Sequence, residues 1–482
     1  MKDNYFKYRP VWMNAFLARS PDKVVTENPI RARNAFNRDL GTIVHSNFFK
    51  RLSHKTQVFS LPYNDHVHTR LTHSVEAAQV GRHIARYFCS TVFKKLFTSD
   101  HETYHKLSAE LEELTSAVCL AHDIGHSAFG HTGKVVIEEY CKDKNEAHIF
   151  DDNKQVVRIL LNPIWFEKIQ VSGPFVAAIL KKKITETNCY DSERSELNVI
   201  MKKLELLDLR HPASIFMEAA DDIAYLSGDV LDAIAIYSGK QSLENLSQFE
   251  TLSQLMCVDH EGKELQESLK LSFDAALSEP SCDNIQEFSD KFLRVALNHV
   301  FRAIDHFSNT FFAEADHSLA NLPLYLNNFI QSNAHTYKHK ETNEEQTDPN
   351  LVYLKLADSS AGNSLFALKG QLYRNSIFPE QFIREQDNLA RVVLTGILDK
   401  LYPLTRESDL SSSPVFKELP EEIRGYFLAA KDQGTLFPAI LDVVSGMTDR
   451  YAISFWKETV GLTALDRIGI RLPNIKTEKK SA

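Results

Sequence analysis

The chain has 482 residues, 43% hydrophobic and 25% charged, the balance of a soluble globular protein with a large core. A net charge of −9 excludes a surface built throughout to wrap polyanions, so any nucleotide or nucleic-acid site has to be a local basic patch. The six cysteines are scattered without a CxxC pair, which argues against a thiolate zinc site or a disulfide framework and for reduced thiols in the cytoplasm.

The N-terminal stretch MKDNYFKYRPVWMNAF is charged and aromatic and lacks the apolar centre of a signal peptide. No apolar run approaches the ~18 residues of a membrane span. With only 17 glycines and 16 prolines, the sequence predicts long helices. Ala77, Val80, Ile84 and Tyr87 recur at helical spacing and predict a helix over 72–88. Leu111, Leu114, Val118 and His122 predict a second over 108–122, and Phe216, Ile223, Val230 and Ile234 a third over 213–236. Loops are expected at 143–153, at 185–195 and at 335–349 (HTYKHKETNEEQTDP), the last exposed and mobile. The tail IKTEKKSA is expected to fray. No internal repeat is visible. The expected fold class is mainly α-helical, all-α: a motif-rich core over 1–240 and a plainer helical extension over 241–482, or one continuous domain.

Residues 121–131 read AHDIGHSAFGH and crowd His122, Asp123, His126 and His131 together. His122 ends an apolar stripe. A lone histidine there is read as a core residue bonded to a carbonyl. An adjoining Asp123 makes two polar groups at an apolar helix end, which is costly without a partner. A divalent cation supplies one, and mixed imidazole and carboxylate ligands suit Mn, Fe, Zn or Ni. Further ligands have to come from elsewhere. His73 lies on the 72–88 stripe, and Asp221, Tyr225 and Asp229 share one helix face at spacings of four. That face is read either as a pocket wall or as a solvated surface.

The order His73, His122-Asp123, Asp221 resembles the HD-domain metal-dependent phosphohydrolases. The flanks HSNFFKRLSHKTQVF, TRLTHSVEAAQVGR, HDIGHSAFGHTG, FDDNKQ and MEAADDIAY resemble the deoxyguanosine triphosphate triphosphohydrolase (dGTPase) branch, as do GILDKLYPL and SGMTDRYA more weakly. The resemblance implies a helical homo-oligomer, often a hexamer, that cleaves a deoxynucleoside triphosphate to the deoxynucleoside and inorganic triphosphate. It implies His73, His122, Asp123 and Asp221 as ligands of a divalent ion, Mn or Mg foremost, with Fe, Ni or Zn as alternatives. Asp221 is chosen over Asp222 because Tyr225 and Asp229 then fall at the family's substrate spacings. Gln57 and Asp229 would bond the sugar 3′-hydroxyl, Tyr225 would pack on the deoxyribose, and Arg70 and His126 would meet the phosphates. The metal acidifies water for attack at the α-phosphorus. His131 would protonate the 5′-oxygen leaving group.

Lys134 stands where the family carries an acidic residue that orients the equivalent of His131. A lysine instead lowers the imidazole pKa and favours its neutral form. The alternatives are a replacement carboxylate, Asp151 or Asp152, weak turnover, a surface lysine, or a lysine reaching a phosphate. If chemistry is weakened, Lys134→Glu is expected to raise turnover. HSAFGH lacks two prolines usual in the family, FDDNKQ has Asp for Glu, and Leu40 and Thr42 replace arginines tied to effector or subunit contacts. The leading expectation is a metal-dependent dNTP triphosphohydrolase acting on dGTP. The alternatives are a nucleotide or single-stranded-DNA binding protein on the same scaffold, or an HD phosphohydrolase with another nucleotide substrate. The basic run KKK at 181–183 is read as a nucleic-acid contact or a solvated helix end. Base preference is not legible.

Overall fold

Long apolar stripes with few breakers produce a mainly helical molecule. The computed structural model describes residues 9–24, 34–58, 67–165, 167–181, 189–236, 263–278, 282–314, 316–332, 336–338, 345–347 and 380–459. The helices that position the site are α1 (Ala35–His45), α2 (Asn47–Arg51), α3 (Arg70–Phe88), α4 (His101–Ala121), α5 (Gly130–Asp143), α6 (Asp152–Leu161), α7 (Gly173–Ala178), α8 (Asp191–Lys203) and α9 (Pro212–Ile236). Farther along the chain come α10 (Lys263–Ser278), α11 (Cys282–Ala313), α12 (Leu322–Ser332), α13 (Glu380–Leu401), α14 (Pro414–Glu418), α15 (Glu421–Asp432), α16 (Leu436–Gly446) and α17 (Asp449–Thr459). Among the described residues the named strands form two antiparallel pairs, β1 (Phe16–Leu17) with β2 (Ser20–Val24) and β3 (Thr336–Lys338) with β4 (Glu345–Thr347).

The three predicted stripes become α3, α4 and α9, which pack on one another and bury Ala77, Val80, Ile84, Leu111, Leu114, Val118, Phe216 and Ile223. Helix starts follow side-chain chemistry. Thr69 and Thr72 cap α3 reciprocally, Asp100 accepts from Thr103 N–H at the start of α4, and Asp151 accepts from Asn153 and Lys154 N–H at the start of α6. In the C-terminal half, α13 packs against α5 and α17. The expected break near 240 lies outside the described residues.

Two loop expectations are corrected. Residues 191–195 belong to α8, whose first turn carries Asp191 and Glu193, acids that favour a helix N-terminus. Within 335–349, residues 336–338 and 345–347 pair as strands, Thr336 opposite Thr347, because a polar stretch satisfies its backbone groups by pairing with itself. The tail IKTEKKSA lies outside the described residues. No helix of the described residues is long and apolar enough to cross a membrane.

His211, at the entry to α9, is fully buried. Its Nδ1 accepts from Ala213 N–H at 3.0 Å and its Nε2 faces the Trp12 carbonyl at 3.2 Å, so a neutral ring satisfies both neighbours. Burial pushes its pKa down to about 3. The unfolded chain therefore takes up this proton first. The associated stability is complete above the ordinary histidine pKa of ~6.5 and is lost progressively as pH falls toward 3. At about pH 5 the loss is roughly 2 kcal/mol. His211→Gln, which does not titrate, should show a shallower fall in melting temperature between pH 7 and 5. Parallel curves for variant and parent would remove His211 from the acid response.

Candidate metal centre and its surroundings

Helix α4 ends at Ala121, and His122 and Asp123 follow in the turn beyond it. Both are buried, as is His73 in the first turns of α3. Gly125 lets this turn close on α6. A Cβ there would lie 2.5 Å from the Asp152 carbonyl, so a side chain would push away the start of α6.

His122 Nδ1 lies 2.6 Å from the Cys119 carbonyl, an oxygen that can only accept. That contact places the proton on Nδ1 and leaves the Nε2 lone pair bare. Nε2 is buried without a hydrogen bond, yet lies 3.3 Å from Asp123 Oδ1 and 3.2 Å from Asp221 Oδ1. His73 Nε2 is 3.0 Å from the same Asp221 oxygen. A lone pair aimed at two carboxylate oxygens is repulsive unless a positive charge, a cation or a proton, lies among them, and the two carboxylates raise the His122 pKa against its burial. Ligand atoms of His73, His122 and Asp123 all lie within 4.8 Å of one another, and Asp221 adjoins both imidazoles. The donor set fits a borderline divalent cation. The bland reading of His122, a core histidine bonded to a carbonyl, accounts for Nδ1 alone.

Cations flank this cluster. Arg70 Nη1 donates to Asp123 Oδ2 at 2.7 Å, and Lys181 Nζ donates to Asp221 Oδ2 at 3.1 Å. Burial pushes the Asp123 carboxyl up, but the positive charges of His122 and Arg70 outweigh it and hold the group well below the usual carboxylate range. Asp221 is likewise held down, by Lys181 and His122 against burial. Lys181 opens the KKK run. It is held by a site carboxylate rather than standing as a solvated helix end. Lys182 and Lys183 lie outside the described residues.

A second layer forms behind Asp123. His126 Nδ1 is 3.1 Å from Asp123 Oδ1, and its Nε2 is 3.5 Å from Asp152 Oδ2. Burial and then Arg70 lower the His126 pKa well below its usual value. Burial raises Asp152 to about 7. Lys134 Nζ pairs with Asp151 Oδ2 at 2.9 Å and lies 4.0 Å from Asp152 Oδ2. Lys134 therefore turns toward the two aspartates. Asp151 caps α6 and holds Lys134, and no bond between Asp151 and His131 is recorded among the described residues. Of the two aspartates, Asp152 is the one that approaches a site histidine.

His131 enters at the second residue of α5 and is exposed. The turn before it is left-handed at Phe129 (φ 62°) and Gly130 (φ 58°). Partial burial of the ring of this otherwise exposed residue, then Lys134 and Arg70, lower its pKa. Gln57 is half-buried, and its Oε1 is buried with no hydrogen-bond partner among the described residues, an acceptor open to a ligand donor. Tyr225 lies edge-on to His73 with ring centroids 6.3 Å apart. Asp229 lies on α9, and its side chain is outside the described residues. Sequence reasoning missed Lys181, Thr56 and Asp449. Only position inside the quoted motifs could have signalled them.

No family model matches the chain. Curated relatives do. A deoxyguanosinetriphosphate triphosphohydrolase-like protein of Wolinella succinogenes is 26% identical over 434 residues, 88% of this chain and 95% of the relative. Proteins of the same description from Rickettsia prowazekii and Rhodopseudomonas palustris are 32% identical over 267 residues and 40% identical over 142 residues. These two alignments cover 52% and 30% of this chain and 58% and 30% of the respective relatives.

Proposed function

From the premise that the chain belongs to the deoxyguanosinetriphosphate triphosphohydrolase-like family, we propose that it is a metal-dependent dNTP triphosphohydrolase, with dGTP as the leading substrate and deoxyguanosine and inorganic triphosphate as products. The observation that carries this reading is the bare, buried Nε2 of His122 between two carboxylates, flanked by Arg70 and Lys181. His73, His122, Asp123 and Asp221 would hold the ion, Mn or Mg foremost. Bound there, it neutralises phosphoryl charge and acidifies water for attack on phosphorus.

The chain's own residues do the rest. Arg70 is fixed by Asp123, and its buried Nε has no bond among the described residues, so the guanidinium keeps donor capacity for phosphate oxygens. His126, held between Asp123 and Asp152, presents an imidazole beside the same region. The open acceptor of Gln57 suits the 3′-hydroxyl, with Asp229 as its partner and Tyr225 packing on the deoxyribose. His131 delivers a proton to the departing 5′-oxygen. A homo-oligomer, hexameric by resemblance, a cytoplasmic setting and a single-stranded-DNA contact belong to the same proposal.

Incubation with each dNTP in Mn²⁺ or Mg²⁺, with chromatographic identification of products, tests the reading. Deoxynucleoside and triphosphate in equal amounts are expected, absent with chelator. Release of single phosphates would favour another HD phosphohydrolase chemistry. The Lys134–Asp151 pair and the lowered His131 pKa favour a second reading, nucleotide binding with weak turnover. Tight dNTP binding without product would select it.

A further inference from the structure

The C-terminal motif SGMTDRYA contributes a buried carboxylate to the core of the candidate site. Asp449, at the first residue of α17, lies 3% exposed. Its Oδ2 accepts from Thr56 N–H at 3.1 Å and from the Thr56 hydroxyl, and its Oδ1 accepts from Phe129 N–H at 2.9 Å. Burial pushes this carboxyl up, and the Thr56 and Phe129 donors and Lys55 pull it back.

Both clamped residues adjoin the chemistry, one residue from Gln57 and two from His131. Thr56 precedes Gln57, and Phe129 opens the left-handed turn that delivers His131. The two segments also touch, since a Cβ on Gly130 would lie 3.4 Å from the Gln57 carbonyl. Thr56 further pairs as an isolated bridge with Thr69, and Arg70 N–H donates to the Lys55 carbonyl at 3.1 Å. Lys55 in turn donates through Nζ to the Ser445 carbonyl at 2.9 Å and to the His126 carbonyl. One stretch, 445–449, thus fixes the backbones that carry Gln57, Arg70, His126 and His131.

We infer that Asp449 is a positioning residue: its carboxylate staples the Gln57 and His131 segments together and sets the distance between the sugar-binding acceptor and the proton donor. The inference rests on the hydrolase reading for its catalytic consequence and on geometry alone for the staple. The metal ligands are not bonded to Asp449, so the ion should be retained when the staple is cut.

The test compares Asp449→Asn, Asp449→Ala and Thr56→Val with the parent. Asp449→Asn keeps one acceptor but cannot serve both backbone donors. Three readouts are taken: amide hydrogen exchange over 52–58 and 126–132, manganese per chain, and kcat and KM for dGTP. The expected result is faster exchange confined to those two segments, unchanged manganese, and kcat lowered by about 10²-fold in both Asp449 variants, the scale of an ångström-level misplacement. Thr56→Val should lose less, since both backbone bonds remain. Unchanged exchange at 52–58 and 126–132 would overturn the staple even if the parent turns over no nucleotide. Faster exchange with kcat within about twofold of the parent would overturn the positioning role. Loss of manganese with a general rise in exchange would reduce Asp449 to a folding residue and also overturn it. A parent without dNTP turnover sinks the hydrolase reading alone.

Discussion

Substitution of His122 by alanine lowers affinity for the divalent ion by at least about 10²-fold, since removal of even an outer-sphere partner costs 10–100-fold. Turnover falls by about 10³-fold or more, because several kcal/mol of charge stabilisation leave with the ion. The ion-free fold loses less than the metal-bound one. There the two carboxylates at 3.2 and 3.3 Å from Nε2 raise the His122 pKa against its burial, so a proton stands in for the cation. Removal of His122 costs these ion pairs and the Nδ1 bond to Cys119. A ligand that binds only the folded chain stabilises it by about 2.7 kcal/mol at a hundred times its dissociation constant. The parent's melting temperature should therefore rise on addition of Mn²⁺ while that of His122→Ala stays flat. Equal manganese content and an equal thermal shift in both proteins would mean that His122 is a core histidine, and the site would have to be abandoned.

Substitution of His131 by alanine should lower kcat by roughly 10²–10⁴-fold, the span lost with a general acid. Because His131 is exposed, the melting temperature should change little. The pH profile carries the sharper information. A proton donor works only when protonated, so activity falls as pH rises through its pKa. Burial lowers that pKa first, then Lys134 on the same helix and Arg70 on α3, while Asp387 on α13 and Glu138 on α5 pull it up. The alkaline limb should accordingly sit below the ordinary histidine range of ~6.5, subject to the upward pull of a bound triphosphate. Lys134→Gln removes one positive charge and should move the limb to higher pH. Lys134→Glu should move it farther, but it also places a third carboxylate beside Asp151 and Asp152, where Lys134 now lies 2.9 and 4.0 Å away. Its melting temperature should drop. The simple expectation that an acid at 134 restores turnover has to be set against that crowding. An alkaline limb unmoved in both variants would separate His131 from the proton transfer.

Much of this was legible in the sequence. The helices α3, α4 and α9 follow from apolar residues at helical spacing, because the period itself dictates which face is buried. The ligand cluster was reached through motif order, and His73, His122 and Asp123 do converge. The loop expectations fared less well. At 191–195 the first-turn acids of α8 were hidden in a polar stretch, and β3 and β4 owe their form to each other rather than to side-chain alternation.

Spacing and composition by themselves determined the helical class and the buried stripes, and the resemblance carried by motif order supplied the residues that would hold a cation. They did so because helix period and ligand chemistry are local properties of residue type. Tertiary structure alone decided where the partners fall. It turned Lys134 to Asp151, brought Asp152 rather than Asp151 to His126, seated Lys181 on Asp221, and carried Asp449 to Thr56 and Phe129. The physical reason is that a buried charge must find compensation wherever the packed chain offers it, and the nearest donor in space bears no fixed relation to distance along the sequence.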